Sequence, residues 1–333
     1  MTIKLNATGS VLSPVLMLLA ILIAFAPANA QTLKAWRHGV VEAKSDAGFA
    51  FMAAERGFAE KRGLKIEMVQ FKGDALALKA LLAGELDSYE GSPGGPLLAA
   101  SHGGDIKIIG CYWPALTYGI FSRANIAGPA DLKGKSFAIS SPGALPDLLA
   151  RAVLEKYNIA SDDVRFSVMG SDADRFRALS AGVVDAASAS TEFAPLADKS
   201  AVKLLLHATD VVPNYLRFCT YTSGKDLAQR RDDAVDFLSA EMAALRYALA
   251  NRDEEIKLTK QVTGAKPDDP RAAYIFDEVV RYSAVNPDMP IPLDRLAWMQ
   301  EVLLKTGNLT KAIDLATMVD DSVRMKALDI VGK

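Results

Sequence analysis

This chain of 333 residues contains only two cysteines, Cys111 and Cys219. Two cysteines are too few for the disulfide framework that stabilises small secreted domains. Both lie in predicted strands, where an unpaired cysteine packs as a small apolar side chain. We therefore expect two buried, unpaired cysteines, although pairing in an oxidising compartment stays open.

The chain also lacks the motifs of common catalytic and metal centres. It has three histidines and no HExxH, GxSxG or P-loop sequence. Neither His102 nor His207 stands near a cysteine in a local motif. Cys111 lies in an apolar run, which is a poor setting for an activated thiolate. We expect no catalytic residue, no metal and no cofactor.

Neither sign of charge is in excess, with 38 basic and 40 acidic residues. Such a balance does not favour nucleic acid or anionic membranes as partners. Half of the residues are apolar, so a large core is possible. The length suits one large domain or two domains of ordinary size.

Apart from one stretch near the N-terminus, long apolar runs are absent. Residues 1–30 contain Lys4, the apolar run Val15–Phe25 and the small-x-small triplet Ala28-Asn29-Ala30. This order predicts a signal peptide that is cleaved near Ala30, before Gln31. A membrane anchor is the alternative, but a spanning helix needs about 20 apolar residues. We expect export to the periplasm, with no stable membrane insertion after cleavage.

The most informative feature present is an internal repeat at an offset of 98 positions. Gly73–Asp87 and Ser171–Asp185 share 7 of 15 residues. Each copy predicts an Asp-capped helix, a glycine and then an apolar strand. Two such units suggest two similar lobes with a ligand cleft between them. Four shared aspartates are expected to be structural: Asp74, Asp87, Asp172 and Asp185.

Strands alternate with helical patterns around both copies, which predicts βαβ units and mainly parallel sheets. The predicted strands are Leu33–Val40, Leu64–Phe71, Leu86–Tyr89, Ile106–Cys111, Ser136–Ser140, Val164–Met169, Val183–Ser188 and Val202–Leu206. Two more strands, Thr117–Arg123 and Tyr215–Ser223, are predicted to cross between the lobes as a hinge. The predicted helices are Ala47–Arg62, Ala75–Ala83, Pro96–His102, Leu145–Tyr157, Ala173–Ala181, Asp226–Arg252, Leu258–Thr263, Arg271–Tyr282 and Leu293–Thr306. The last four form a helical tail, which we expect to pack on the first lobe.

In this order of elements the chain resembles the periplasmic solute-binding proteins of ABC importers. The branch it resembles includes nitrate-, sulfonate-, taurine- and thiamine-pyrimidine-precursor-binding proteins. The matching stretches are GFAFMAAERGFAEKRGLKIE, ALKALLAGELD, IAGPADLKGKSFAIS and RFRALSAGVVDAA. The resemblance implies the α/β, two-lobed type II periplasmic-binding-protein fold, with the ligand cleft at the hinge. In that fold each lobe is a βαβ-based, mainly parallel sheet flanked by helices. We place lobe 1 at residues 31–118 plus 224–333, and lobe 2 at residues 119–223.

Ligands of open parallel sheets bind beyond the carboxyl ends of the strands, where helix N-termini offer N–H donors. Four loops meet this description: residues 38–46, 90–95, 140–143 and 190–191. Each also has an ordinary interpretation as a helix cap or a turn. The candidate ligand-binding residues from these loops are His38, Ser45, Asp46, Glu90, Gly91, Ser92, Ser140, Ser141, Gly143, Ser190 and Thr191.

Three more candidates come from aromatic and basic residues. Tyr112 and Trp113 end a predicted strand, where an aromatic ring can stack on a planar ligand. Most aromatic residues at such positions belong to the core instead. Arg217 is the third, because a guanidinium binds a carboxylate or sulfonate bidentately. On the first strand we prefer His38 to Trp36 as the cleft residue, since it lies nearer the carboxyl end.

Charge complementarity leaves the ligand class open. The arginines suit an anion, whereas Asp46 and Glu90 suit a cation or an N–H-rich heterocycle. We favour a small organic anion, an aromatic or aliphatic carboxylate or sulfonate. A pyrimidine-like heterocycle or nitrate is the alternative.

The resemblance implies a monomeric extracytoplasmic protein that delivers its small-molecule ligand to ABC permease subunits in the inner membrane. Two other functions are possible on the same fold. One is an enzyme, such as a desulfinase or a thiamine-pyrimidine synthase, and the other is a ligand-presenting partner of a sensor. Neighbouring genes for a permease and an ATPase would favour import, whereas a neighbouring sensor kinase would favour signalling.

Overall fold

The computed structural model describes residues 1–4, 32–197 and 200–332. Most of the predicted signal peptide lies outside the described residues, so its cleavage near Ala30 stays a prediction. The unit Leu33–Lys333 is compact, and the fold below is that of this unit. No helix in the described ranges is long and apolar enough to cross a membrane.

Ten strands and twelve helices occur in the described part of the chain. The strands are β1 Lys34–Val41, β2 Leu64–Phe71, β3 Ser88–Gly91, β4 Lys107–Trp113, β5 Tyr118–Arg123, β6 Ser136–Ile139, β7 Arg165–Val168, β8 Ala186–Ser190, β9 Val202–His207 and β10 Phe218–Thr222. The helices are α1 Ala47–Glu55, α2 Asp74–Leu82, α3 Gly94–Ser101, α4 Leu145–Lys156, α5 Asp172–Ser180, α6 Ala194–Ala197, α7 Ala208–Val211, α8 Gly224–Ala250, α9 Arg252–Thr263, α10 Arg271–Arg281, α11 Leu293–Lys305 and α12 Asp321–Val331.

The strands form two five-stranded sheets with the same plan. Sheet A has the order β2-β1-β3-β10-β4, and sheet B has the order β7-β6-β8-β5-β9. In each sheet one strand runs antiparallel to its two neighbours, β10 in sheet A and β5 in sheet B. The other pairs, β1 with β2 and β3, and β6 with β7 and β8, are parallel. The prediction of an α/β fold with two mainly parallel sheets is confirmed.

The two strands that were expected to cross between the lobes do not cross between the sheets. Thr117–Arg123 corresponds to β5, which pairs only within sheet B, and Tyr215–Ser223 corresponds to β10, which pairs only within sheet A. The chain instead passes between the sheets at residues 114–117 and 208–217, because the backbone groups of both strands are engaged in sheet ladders. The lobe boundaries at residues 118 and 223 stay a prediction.

One predicted helix differs from the structure for a local reason, and one helix of the structure is absent from the predictions. The helix expected at Ala47–Arg62 ends at Glu55, since Gly57 adopts a φ of 75° and a short 3-10 turn follows at Glu60–Arg62. The helix α12 was not predicted.

The helical tail packs on both sheets rather than on the first one alone. Helices α8, α9 and α12 join α1 around sheet A, in a core that includes Trp36, Phe49 and Phe237. By contrast, α11 packs against α3 and α4. Glu278 of α10 also accepts a 2.7 Å hydrogen bond from His207 at the end of β9.

The expectation of two unpaired cysteines is wrong. Cys111 of β4 and Cys219 of β10 form a disulfide, and both are fully buried. The two residues lie 108 positions apart in sequence. They meet because β10 returns from sheet B to lie beside β4 in sheet A.

Candidate functional site

Loops from the two sheets meet beyond the carboxyl ends of their parallel strands. The loop between β1 and α1 reaches sheet B, where Lys44 Nζ lies 3.0 Å from the hydroxyl of Tyr118. One residue later, the backbone N–H of Ser45 donates to Glu192 over 3.0 Å. Both contacts come from sheet B to a loop of sheet A, so this is where a ligand would contact both sheets at once. We call the following residues the cleft cluster: Lys44, Ser45, Asp46, Tyr118, Asp172, Thr191, Glu192 and Arg217.

Lys44 and Asp172 form the central ion pair of the cleft cluster. The Asp172 carboxylate accepts from Lys44, from Arg175 and, over 2.9 Å, from the Tyr118 hydroxyl. Burial alone would raise the pKa of Asp172, but the charges of Lys44 and Arg175 outweigh it and hold this pKa well below the ordinary value. Burial opposes the charge on Lys44, yet Asp172 and Tyr118 raise its pKa. Both groups are therefore ionised at neutral pH.

Arg217 is the second cation of the cleft cluster and is only 1% exposed. Its guanidinium lies over the rings of Trp113 and Phe218, 4.1 and 4.5 Å from their centroids. One terminal nitrogen binds Asp46, and the other donates to the Thr117 hydroxyl over 2.9 Å. Its Nε makes no hydrogen bond with any described residue.

Ser190 and Thr191 follow β8 on the opposite side of the cleft. The backbone N–H of Ser190 points to Asp172, 3.3 Å away, and its hydroxyl accepts from the backbone of Glu192. Thr191 is fully buried, and its N–H donates to the carbonyl of Thr117. Within the described ranges the Thr191 hydroxyl has no hydrogen-bond partner. Thr117 thus contacts both Thr191 and Arg217, through its carbonyl and its hydroxyl respectively.

Glu192 contributes a carboxylate that is not part of an ion pair with the described residues. Its hydrogen-bond donor is the Ser45 backbone. Burial raises the pKa of Glu192, and the nearby carboxylates Asp172 and Asp46 raise it further.

A second buried group lies beneath the loop that follows β3. Glu90 accepts from the Tyr112 hydroxyl and lies 4.0 Å from His38 Nε2. His38 itself packs against the ring of Phe237 at a tilt of 42° and forms a 2.7 Å hydrogen bond with the Ser88 hydroxyl. Since His38 and Tyr112 are only 2% and 3% exposed, both belong to the core of sheet A as well as to the candidate list.

Asp74 stands at the start of α2, next to Gly91 and Ser92. Gly73, not Asp74, is the N-cap residue, and no side chain caps this helix. The expectation that Asp74 and Asp172 cap their helices is therefore wrong, because Ser171 caps α5. Burial raises the pKa of Asp74 to about 6, against an opposing hydrogen bond from the Ser92 backbone.

The loop between β6 and α4 carries three further candidates. Ser140 and Gly143 are half-buried, whereas Ser141 is exposed. The N–H of Gly143 donates to Asp147 over 2.7 Å. A Cβ built on Gly94, at the start of α3, would stand 3.6 Å from the Gly143 carbonyl oxygen. This loop therefore meets the N-terminus of α3.

Most helix N-termini at the cleft already carry a carboxylate of the chain. Asp46, Asp74, Asp147 and Asp172 stand at or within the first turns of α1, α2, α4 and α5. The first turn of α3 has no acidic residue. The partial positive charge at the N-terminus of α3 is therefore not met by a carboxylate of the same helix.

The structure thus places the predicted site residues in different surroundings. Ser45, Asp46, Thr191 and Arg217 come together in the cleft cluster. Sequence reasoning missed Lys44, Tyr118 and Glu192, and it classed Asp172 as a cap. A signal for Asp172 was present, since it recurs in the repeat, but its partner Lys44 lies 128 positions away. The structure describes no group of three or more metal-ligating side chains in the ranges it covers.

Comparison with solved structures shows the same fold in a binding protein and in an enzyme. The periplasmic aliphatic sulphonate binding protein SsuA of Escherichia coli superposes with a TM-score of 0.73 at 21% identity, covering 86% of this chain and 92% of that protein. The desulfurization enzyme DSZB superposes with a TM-score of 0.65 at 18% identity, covering 89% and 99%. At these identities the likeness establishes the fold, which is that of the periplasmic binding proteins.

Comparison of the sequence with known proteins and protein families identifies the relationship more specifically than the fold does. A binding protein of Brucella abortus is 32% identical over 114 residues, which is 34% of this chain. The match spans only 35% of the length of that curated relative. Residues 44–255, more than half of the chain, match the family described as NMT1/THI5 like. The resemblance to the nitrate, sulfonate and taurine branch of binding proteins is confirmed, and the chain belongs to the NMT1/THI5-like family.

Proposed function

We propose that this protein is an extracytoplasmic solute-binding protein, which captures a small organic anion and delivers it to an ABC importer. The observation that carries the proposal is the meeting of loops from two mainly parallel sheets, with buried donors that have no hydrogen-bond partner among the described residues. A ligand at this place contacts both sheets and so favours the arrangement in which they approach each other. The aliphatic sulphonate bound by the E. coli neighbour is consistent with an anionic ligand.

The anionic group of the ligand would bind between Arg217 and Thr191. The Arg217 Nε and the Thr191 hydroxyl are buried donors with no hydrogen-bond partner among the described residues. A buried donor without a partner costs free energy, and a carboxylate or sulfonate oxygen would remove that cost. Lys44 adds positive charge in the same cluster. The aromatic faces around Arg217, Trp113 and Phe218, suit an apolar ligand body.

A neutral or cationic N–H-rich heterocycle is the second candidate ligand. The observation that favours it is the presence of two carboxylates, the half-buried Asp74 and the buried Glu192, for which the described residues provide no ion pair. A bare nitrate would use few of the apolar contacts that the cluster offers.

A cysteine-based enzyme is less well supported than a binding protein. Both thiols are joined in the buried disulfide Cys111–Cys219, so neither is a free nucleophile. Import and sensing would use the same cleft. They are distinguished by whether cells lacking the protein lose uptake of the ligand or lose only the response to it.

The proposed function is tested by binding measurements on the protein from Gln31 onward. The panel would contain benzoate, benzenesulfonate, propane-1-sulfonate, nitrate and cytosine. A ligand at 100 times its Kd should stabilise the protein by about 2.7 kcal/mol, which shifts Tm by a few degrees. Calorimetric titration then gives Kd. Stabilisation by organic anions without turnover supports the proposal, stabilisation by cytosine alone supports the second candidate, and consumption of a compound supports an enzyme.

A variant locates the anion site. Thr191→Val removes the unused hydroxyl while keeping the shape of the side chain, and we expect about tenfold weaker binding of the anion. Thr263→Val removes a hydroxyl that bonds only within α9, so it serves as the matched control. Equal affinities of Thr191→Val and wild type would place the anion elsewhere.

A further inference from the structure

One buried histidine joins a helix of the tail to sheet B and to a passage between the sheets. His207 is the last residue of β9, and its Nε2 lies 2.7 Å from a carboxylate oxygen of Glu278 in α10. Both side chains are buried. The Nδ1 atom of the same ring accepts a 3.2 Å hydrogen bond from the backbone N–H of Thr209 and so caps the short helix α7. His207 therefore holds β9, α7 and α10 together.

These two partners determine which nitrogen of the imidazole carries the proton. A backbone N–H can only donate, so Nδ1 is unprotonated where it accepts from Thr209. Nε2 then carries the proton, which it donates to the Glu278 carboxylate. The ring also stacks on Tyr282 of α10, with centroids 4.1 Å apart and planes inclined by 10°. The orientation of the ring is thus set by α7 and α10 together.

Helix α10 connects this histidine to the core around sheet A. Its Phe276 stacks on Phe49 of α1, with ring centroids 5.9 Å apart. The same helix contacts the turn Thr191–Phe193, which follows β8 of sheet B and contains two residues of the cleft cluster. The hydrogen bond between His207 and Glu278 therefore links a helix of the sheet A core to sheet B, beside the cleft cluster.

A second set of contacts leads from the histidine to both passages between the sheets. Thr209 lies in the second passage, and its hydroxyl donates over 2.8 Å to the carbonyl of Leu116 in the first passage. The next residue, Thr117, accepts hydrogen bonds from the backbone N–H of Thr191 and from the guanidinium of Arg217. The contacts of the histidine thus extend through both passages to the residues of the proposed anion site.

We propose that His207 is a positioning residue for ligand capture. It acts through α10 on one side, and through Thr209 and Thr117 on the other, to hold the loops of the two sheets in the arrangement that forms the cleft cluster. Because its bond to Glu278 joins the two sheets, loss of this bond should favour arrangements in which the loops are apart. The expected effect on ligand affinity rests on the proposed function, whereas the effect on the loops does not depend on a ligand.

Three variants separate the contacts of the histidine. In His207→Asn the amide oxygen can still cap α7, but the side chain is too short to reach Glu278. His207→Gln keeps an N–H donor near the position of Nε2 and loses the cap. Thr209→Val removes only the hydroxyl that bonds Leu116. His102→Asn, the same change at an exposed histidine, is the control.

The first measurement is hydrogen exchange of the exported protein without ligand, followed by NMR. The N–H of Ser45 donates to Glu192 across the cleft, so its exchange reports on separation of the loops. The N–H of Leu245, inside α8, reports on global unfolding. In His207→Asn we expect exchange at Ser45 to be about tenfold faster than in wild type, with a smaller increase in His207→Gln and in Thr209→Val. If exchange accelerates at Leu245 but not at Ser45, the histidine supports the fold alone.

The second measurement is calorimetric titration with benzenesulfonate. We expect His207→Asn to bind it about tenfold more weakly than wild type does, although no contact with the ligand has been removed. The double variant His207→Asn with Glu278→Gln should bind no more weakly than His207→Asn, since both changes act on one hydrogen bond. His102→Asn should bind as wild type does.

The outcomes separate this proposal from the proposed function. If exchange at Ser45 is unchanged in His207→Asn and in Thr209→Val, or if benzenesulfonate binds His207→Asn and wild type equally well, the positioning role is overturned and the proposed function stands. If benzenesulfonate does not bind the wild type, the proposed ligand class fails for this compound, and exchange at Ser45 still decides the role of His207.

Discussion

Two aspartates that occupy the same position of the repeat have opposite electrostatic surroundings. Asp172 lies beside Lys44 and Arg175, which lower its pKa, whereas burial raises the pKa of Asp74 to about 6. The two copies of the repeat share 7 of 15 residues, and the difference comes from Lys44 and Arg175, which pair with Asp172. Ionisation in proteins depends on neighbours in space, and a repeat in sequence does not reveal them.

The single residue Glu255 of α9 should make the stability of the protein depend on pH. It is fully buried, and burial raises its pKa to about 8, with Asp46 raising it further and the Thr259 hydroxyl lowering it. The folded protein therefore holds a proton that the unfolded chain loses above a pKa of about 4.3. Stability should fall as pH rises from about 4.5 to 8, by at most about 1.4 kcal/mol per unit.

Because glutamine does not ionise, the stability of Glu255→Gln should not show this fall. The free energy of unfolding of the variant should therefore rise relative to that of wild type between pH 5 and pH 8. Urea denaturation at pH 5, 6.5 and 8 measures the difference. Glu301→Gln, an exposed change of the same kind, is the control. A constant difference between Glu255→Gln and wild type across this range would show that Glu255 is ionised in the folded state.

At the scale of elements, the repeat produces two copies of one structural unit. Helices α2 and α5 both have nine residues. After them, Asp87 exchanges hydrogen bonds with the backbone of Arg37, and Asp185 exchanges hydrogen bonds with the backbone of Ser136. These aspartates fix the start of one strand against the next in each sheet. The expectation that Asp87 and Asp185 are structural agrees with these contacts.

The glycines that follow these helices allow a prediction about the repeat. Gly84 and Gly182 have φ values of 75° and 73°, in the left-handed region. Because a Cβ is unfavourable there, Gly84→Ala and Gly182→Ala should each lower the free energy of unfolding by about 1 kcal/mol. Gly128 is extended, with φ of −153° and open space around it, so Gly128→Ala is the matched control. Urea denaturation compares the three, and no loss at Gly84 would contradict the prediction.

The hydrophobic period of the sequence predicts which long segments are helices and which are strands. It often does not predict the residues at which these elements end. The pattern from Ala47 to Arg62 is helical in period, yet Gly57 turns the chain after Glu55. Likewise, alternation identified β5 and β10 as strands without showing which sheet each joins. Strand pairing is a contact between distant segments, and local alternation carries no information about it.

For the whole molecule, the disulfide joins the strand that leads towards sheet B to the strand that returns from it. Cys111 lies shortly before the first passage between sheets, and Cys219 follows the second. The link therefore closes a loop of about one hundred residues that contains all of sheet B. A loop of this size restricts the unfolded chain strongly.

Removing the disulfide should reduce the free energy of unfolding by about 2–5 kcal/mol. The measurement is urea denaturation of the wild type with and without dithiothreitol, and of the double variant Cys111→Ala with Cys219→Ala. The double variant should be insensitive to the reductant, which makes it the control. Equal stability of the oxidised and fully reduced wild type would show that the link does not stabilise the fold.

The sequence by itself determined the α/β class, the internal repeat, the family resemblance and the loops in which a ligand site belongs. These follow from local signals: hydrophobic period, glycines after helices and polar residues after strands. The tertiary structure decided which charges pair, which cysteines join and where the chain passes between the sheets. Arg217 meets Asp46 across 171 positions, and Lys44 meets Asp172 across 128. Such pairings depend on the way the sheets bring distant segments together, and no local pattern in the sequence encodes them.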